Sequence, residues 1–282
     1  MVMILNIVDM RFTIKLFFFL IFSSALKLEA QELFTYTEPA SNMPARSIGL
    51  RLTGSFMPIR PTDAWSTHVN PEIMVGISKK WMFHAEGFLS NAQRSFDAEG
   101  GSLYIKHRFY SYDELHSHFR LAAIGRIAIN NSDIHQEAVD LNGHNSGVEL
   151  GLIATKLMHK VAISANVSYI KGSSNLGEKF YTKADETNRR AIGYSLSFGK
   201  LMLPKSYENY NQINVNTMVE CLAQTNLSSG NTYIDVAPVL QCIFKSRMSL
   251  MLGYRIPLVT NLYRTSPGGG LIRFEYNLFN AF

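Results

Sequence analysis

Two cysteines, Cys221 and Cys242, are all that 282 residues contain. That excludes a disulfide-stapled scaffold, and their spacing fits no zinc ribbon; they read as two small apolar residues on strands. Charge is sparse as well: 17% of residues are Asp, Glu, Lys or Arg, and the formal net charge of +5 is spread thinly. Nucleic-acid affinity needs clustered Lys and Arg that displace counterions, so no nucleic-acid partner is expected. Beyond the N-terminus no segment holds the roughly 20 consecutive apolar residues of a transmembrane helix.

The one apolar run, Ile14 and then Leu16 to Phe22, follows Arg11 and Lys15 and precedes Ser23, Ser24, Ala25 and Ala30. A basic n-region, a short h-region and small residues at the exit describe a signal peptide over 1–30, with translation starting at Met1 or Met10. Cleavage falls after Ala25 or Ala30; Ala30 is preferred because Gln31 opens a polar stretch. Without a nearby Cys, no lipoprotein anchor is expected. Residues 31–46 then form a polar, proline-bearing periplasmic lead.

From Ser47 to Phe282 apolar residues alternate with polar or small ones, the period of a strand with two unlike faces. Ile48, Leu50, Leu52 and Phe56 share one parity while Ser47, Arg51, Thr53 and Ser55 share the other. Similar runs recur through Val161 to Tyr169, Ile192 to Phe198, Leu250 to Ile256 and Ile272 to Phe282. Twelve runs of about ten residues match the length of a tilted strand crossing the hydrocarbon layer. Turns at Ser78 to Lys80, Leu157 to Lys160 and Lys245 to Arg247 are short. Met57 to His68, Asn130 to Asn145 and Lys171 to Arg190 read as long loops, with further linkers at Tyr110 to Ser117 and Met202 to Tyr210. Trp81, Phe83, Phe109, Phe119, Phe198, Tyr210, Phe244 and Phe282 fall near strand ends, where a membrane girdle sits.

The expected fold is therefore all-β: an up-and-down antiparallel transmembrane β-barrel over 47–282, with both termini periplasmic and the long loops extracellular. A soluble periplasmic β-protein is the competing reading; it would turn the apolar parity into a core. The last stretch, Leu271 to Phe282, resembles the C-terminal strand of bacterial outer-membrane β-barrels. That resemblance implies outer-membrane lipid as surroundings and the barrel-assembly machinery as a partner, with Phe274, Tyr276, Leu278 and Phe282 as the assembly signal.

With the apolar parity outward, the lumen receives Arg51, Glu72, Glu86, Lys106, Arg108, Arg120, Arg126, Glu149, Glu220, Asp235, Arg255, Arg273 and Glu275. Seven bases and six acids predict pairing across the lumen more than selection of one ion sign. Small residues on this face, among them Gly76, Ser102, Ala122, Ser164, Ser195, Ser197 and Gly253, leave room for a thin water path. A bulge near Gly100 and Gly101 would decide the face of Glu99.

One passage carries candidate chemistry: Asp133, His135, Glu137, Asp140, His144, Asn145, Ser146 and Gly147. His144 and Ser146 are two apart and share the parity of Val148 and Leu150. The spacing is similar to that of outer-membrane phospholipase A and the lipid A deacylases, which implies a lipid-directed acyl hydrolase. The third member departs from those families, since Lys156 and Met158 occupy the comparable stretch; Asp140 or Asp133 would have to serve. The alternative is a loop-closing turn. Asp133, His135, Glu137, Asp140 and His144 are also possible cation ligands, although no recognised metal spacing links them. Gly268 to Gly270 read as a loop tip, and no cofactor is expected. If a hairpin forms about Asn226 to Asn231, Cys221 lies opposite roughly residue 235, unbonded to Cys242. The pattern points to a non-enzymatic barrel, either a narrow passive channel for a small solute or a structural, loop-displaying protein.

Overall fold

The computed structural model describes residues 34–59, 64–92, 95–133, 136–176, 189–206 and 212–282. The expected signal peptide, His135 and Tyr210 lie outside them. Twelve strands follow in order: β1 (Ser47–Ile59), β2 (Ala64–Gly76), β3 (Trp81–Ser90), β4 (Asp97–Glu114), β5 (Ser117–Asn130), β6 (Ser146–Met158), β7 (Val161–Ser173), β8 (Arg190–Leu203), β9 (Asn214–Asn226), β10 (Thr232–Phe244), β11 (Met248–Thr260) and β12 (Gly269–Leu278). Each pairs antiparallel with its sequence neighbour, and β12 closes on β1 from Ile48 opposite Leu278 to Phe56 opposite Gly270. Closure satisfies every backbone edge, which an apolar surrounding demands.

The alternation sorts the faces. Leu103, Leu150 and Leu258 are 63–66% exposed, so the apolar parity is the outside of the barrel. A soluble sandwich would have hidden these side chains, and that reading is excluded. Trp81, Phe109, Tyr110 and Phe198 are exposed near the end that carries the termini. Trp65, Tyr254 and Tyr263 are exposed toward the other end.

Several expected loops are strand instead. β1 continues to Ile59 and β2 starts at Ala64, so Met57 to Ile59 and Ala64 to His68, placed in a loop, are strand. The linker placed at Tyr110 to Ser117 is the end of β4, which pairs with β5 down to Glu114 opposite Ser117 after a bulge between Arg108 and Tyr110. Polar composition over Ser111 to Glu114 concealed the β4 extension, because a strand that projects past the apolar belt needs no alternation. The long connections that remain, 131–145 and 174–189, leave from the end opposite the termini.

The bulge near Gly100 is real. Phe88 faces Gly100 and Leu89 faces Ala98, so Glu99 is the extra residue; it turns inward, 5% exposed, and accepts from the Ser90 hydroxyl at 2.5 Å. Gly100 has φ of +153°, and a Cβ there would stand 2.0 Å from the Ile129 carbonyl oxygen, so only glycine fits. The last strand stops at Leu278, short of Phe282, because Asn280 takes φ of +53° and Ala281 N–H then donates to the Arg46 carbonyl. Cys221 pairs with Val236 and Cys242 with Val215, and both thiols are free.

Candidate functional site in the lumen

Arg51, Glu72, Glu86, Arg126, Glu149, Arg255 and Arg273 line one cavity of about 320 Å³. Lys106, Glu220 and Glu275 are buried nearer the end that carries the termini, with Arg108 and Arg120 partly exposed at its rim. Asp235 is fully buried.

The lumen is filled from that end by the chain's own lead. Residues 31–46 were expected as a stretch apart from the barrel; over its described part, the lead runs inside the wall. Phe34 packs with Ala162, Met218, Val239 and Met251, and Met43 with Met74 and Met82. The backbone is held by one carboxylate. Glu220 Oε1 accepts the Thr35 N–H at 2.8 Å, Oε2 accepts the Thr37 N–H at 2.9 Å and its hydroxyl at 2.8 Å, and the Tyr36 N–H reaches both oxygens. Among the described residues no Lys or Arg pairs with Glu220; its hydrogen bonds go to the lead and, at 3.5 Å, to the Ser197 hydroxyl. Glu38 accepts from the Lys106 ammonium at 3.0 Å and stands 3.7 Å from Arg51, while the Ala40 N–H donates to Thr155 Oγ1.

Two of the small inward residues belong to this arrangement. A Cβ on Gly76 would stand 2.3 Å from the Pro44 carbonyl oxygen, and one on Gly253 would stand 3.2 Å from the Tyr36 ring. They admit the lead, where the sequence reading had assigned them to a water path.

From the other end the β5–β6 loop folds inward. Val139 exchanges two hydrogen bonds with the Gln224 side chain, at 2.9 and 2.8 Å. Val139 and Leu141 also pack on Phe88, Ala128, Ile170 and Ala191. Glu137 accepts from Asn231 Nδ2 at 3.0 Å and from the Ser229 hydroxyl, tying the loop to the β9–β10 hairpin across the mouth. Thr35 to Glu38, Gln136 and Ala138 to Asn142 thus border the cavity.

Ion pairs knit the walls. Arg51 bridges Glu72 at 2.9 Å and Glu275 at 3.1 Å, and Glu72 also takes His84 Nδ1 at 2.5 Å. Asp235 receives Arg255 and Arg264, the latter also stacked 3.8 Å from the Tyr233 ring centroid. Glu38 and Arg264 were invisible to strand parity because they come from the lead and from the β11–β12 loop. The readable trace was the set of inward methionines, Met74, Met82, Met218 and Met251, which a wall facing only water would not need.

His144 and Ser146 are not brought together as a base and nucleophile. Ser146 is buried, not on the outer face, because its hydroxyl accepts the Asn130 N–H at 2.8 Å and donates to the Asn130 carbonyl at 3.2 Å. The His144 ring lies against His68, centroids 5.2 Å apart. Asp140 accepts from the Asn142 N–H, and its own N–H donates to Asn145 Oδ1, which are turn bonds. Asp133 and His144 border a smaller cavity of about 70 Å³. Among the described residues no three metal-capable side chains converge.

No family model matches the sequence, and no curated protein does. The architecture is similar to that of solved structures. The COG4313 outer membrane channel from Pseudomonas putida F1 aligns over 87% of this chain and 100% of its own, with a TM-score of 0.56 and 11% identity. The fold is that of the outer-membrane β-barrels. The NanC porin aligns over 82% of this chain and 98% of its own, with a TM-score of 0.48 and 8% identity. Outer membrane phospholipase A from Escherichia coli aligns over 91% and 100%, with a TM-score of 0.45 and 10% identity. At these identities the likeness carries architecture, and the residues of the lumen must carry the rest.

Proposed function

We propose that this protein is a narrow passive outer-membrane channel for small polar solutes, with the lead as a plug in its resting lumen. The observation that supports this is the cavity: a charged and hydroxylated space, bounded by lead and loop, inside a barrel whose exterior is apolar. A barrel that served only as a scaffold would gain from filling that space with apolar side chains, because buried ion pairs rarely stabilise more than packed hydrophobes. The termini face the periplasm and the β5–β6 and β7–β8 connections face outward in this reading. The terminal residues Phe274, Tyr276, Leu278 and Phe282 present the signal read by the barrel-assembly machinery. Recording from the full-length mature chain in planar bilayers tests the reading: small, discrete conductance steps are expected. A folded, heat-modifiable protein that passes no current would leave the loop-displaying barrel in its place.

A further inference from the structure

Part of the charge around the cavity is sorted by wall, and Glu38, Arg51, Glu72 and Asp140 line it as well. On the β10–β12 side, Arg255, Arg264 and Arg273 reach the cavity. Asp235 receives the first two, while Arg273 donates to the neutral Thr53 Oγ1 at 2.9 Å. In direct ion pairs these three guanidinium groups meet one carboxylate, while Glu72, Glu38 and Glu275 lie near Arg273. Across the lumen the balance inverts: β5 stands six strands from β11 around the closed sheet. Glu86 and Glu149 there share the charge of Arg126, whose Nε is 3.5 Å from Glu149, and the hydrogen bonds to Glu86 among the described residues come from the neutral donors Asn70, at 2.9 Å, and Ser102, at 3.3 Å.

Among the described residues, five shielded polar atoms on cavity-lining residues have no hydrogen-bond partner: Tyr36 Oη, Asn166 Oδ1, Ser195 Oγ, Arg126 Nε and Arg264 Nε. Native proteins pair nearly all such atoms, so unpaired ones around a cavity call for a polar occupant.

We propose that the cavity binds a small zwitterion, a solute with a carboxylate at one end and an ammonium group at the other, of the kind a short peptide presents. The carboxylate lies against Arg255 and Arg273, where guanidinium donors pair in its plane. The ammonium group lies toward Glu86 and Glu149, and the neutral amides between them meet Asn166 and Ser195. A simple anion faces the carboxylates of the far wall, and a simple cation faces the arginines; only a molecule bearing both charges is favoured by both walls. The proposal names the solute class of the channel and rests on that reading for its physiological sense, but binding itself requires no conduction.

Calorimetric titration of the detergent-solubilised mature barrel with three matched probes tests it: triglycine, N-acetyl-triglycine, which lacks the ammonium group, and triglycine amide, which lacks the carboxylate. Triglycine binds at least about tenfold more tightly than either, because each blocked probe loses a charge-assisted contact. In Arg273→Gln the advantage over the amide disappears, and in Glu149→Gln the advantage over the acetylated peptide disappears, with heat-modifiable migration retained in both. Equal binding of all three probes, no binding of triglycine, or an acetylated peptide as tight as triglycine overturns the proposal. Conduction without triglycine binding removes the zwitterion site and keeps the channel; binding without conduction removes the channel and keeps the site.

Discussion

Glu220, buried on β9, accepts the backbone N–H of Thr35 at 2.8 Å, joining residues 185 positions apart. With Tyr36 and Thr37 bonded to the same carboxylate, one side chain holds the lead in the lumen. Glu220→Ala strips those donors of their acceptor, at about 1–3 kcal/mol for each left unsatisfied in place. The lead avoids this by undocking into water. Single-channel conductance rises several-fold over wild type while heat-modifiable migration persists; unchanged conductance would mean that the lead does not limit the path.

Asp235 is the only carboxylate paired with Arg255 and Arg264 among the described residues. Asp235→Asn leaves both guanidinium groups crowded in the lumen without their counter-charge and destabilises the barrel by about 3–5 kcal/mol. Adding Arg264→Gln recovers part of that loss. Urea unfolding of protein refolded into lipid vesicles measures both, and a neutral Asp235→Asn would contradict the pairing.

The exterior has a depth profile that mutation can read. Leu150 is 66% exposed in the middle of β6. Leu150→Arg costs about 2–4 kcal/mol if that position meets hydrocarbon, whereas an arginine at Trp65, near the start of β2, costs about 0–1 kcal/mol. Equal costs in vesicles would show that the outer belt does not track membrane depth.

Ser146 closes the loop onto Asn130 in both directions. Ser146→Ala therefore loses about 1 kcal/mol of local stability and leaves acyl release from phospholipid at the wild-type background. A release rate that falls with the hydroxyl would return the hydrolase reading.

Strand number, closure and the sorting of the two faces were legible because each rests on the two-residue period, a property local to ten residues or so. The end of β4 was not, since over Ser111 to Glu114 both faces are polar and the period fades. The pairing of Arg51 with both Glu72 and Glu275 follows from register, which places Arg51 opposite each of them.

The identity of what fills the lumen is a different kind of fact. Parity placed Glu220 inside, and nothing in the alternation could match it with Thr35, Tyr36 and Thr37, or Arg264 with Asp235. Those contacts join irregular segments to distant strands, and irregular segments carry no period to read. The sequence by itself determined a closed wall with an apolar outside and a charged inside, because one repeating choice per residue suffices for that. Only the tertiary structure decided that the lead occupies one half of the interior, the β5–β6 loop the other, and a cavity with sorted charges the space between. Its reason is non-local: backbone donors without a ladder take whichever buried acceptor the closed barrel holds within reach.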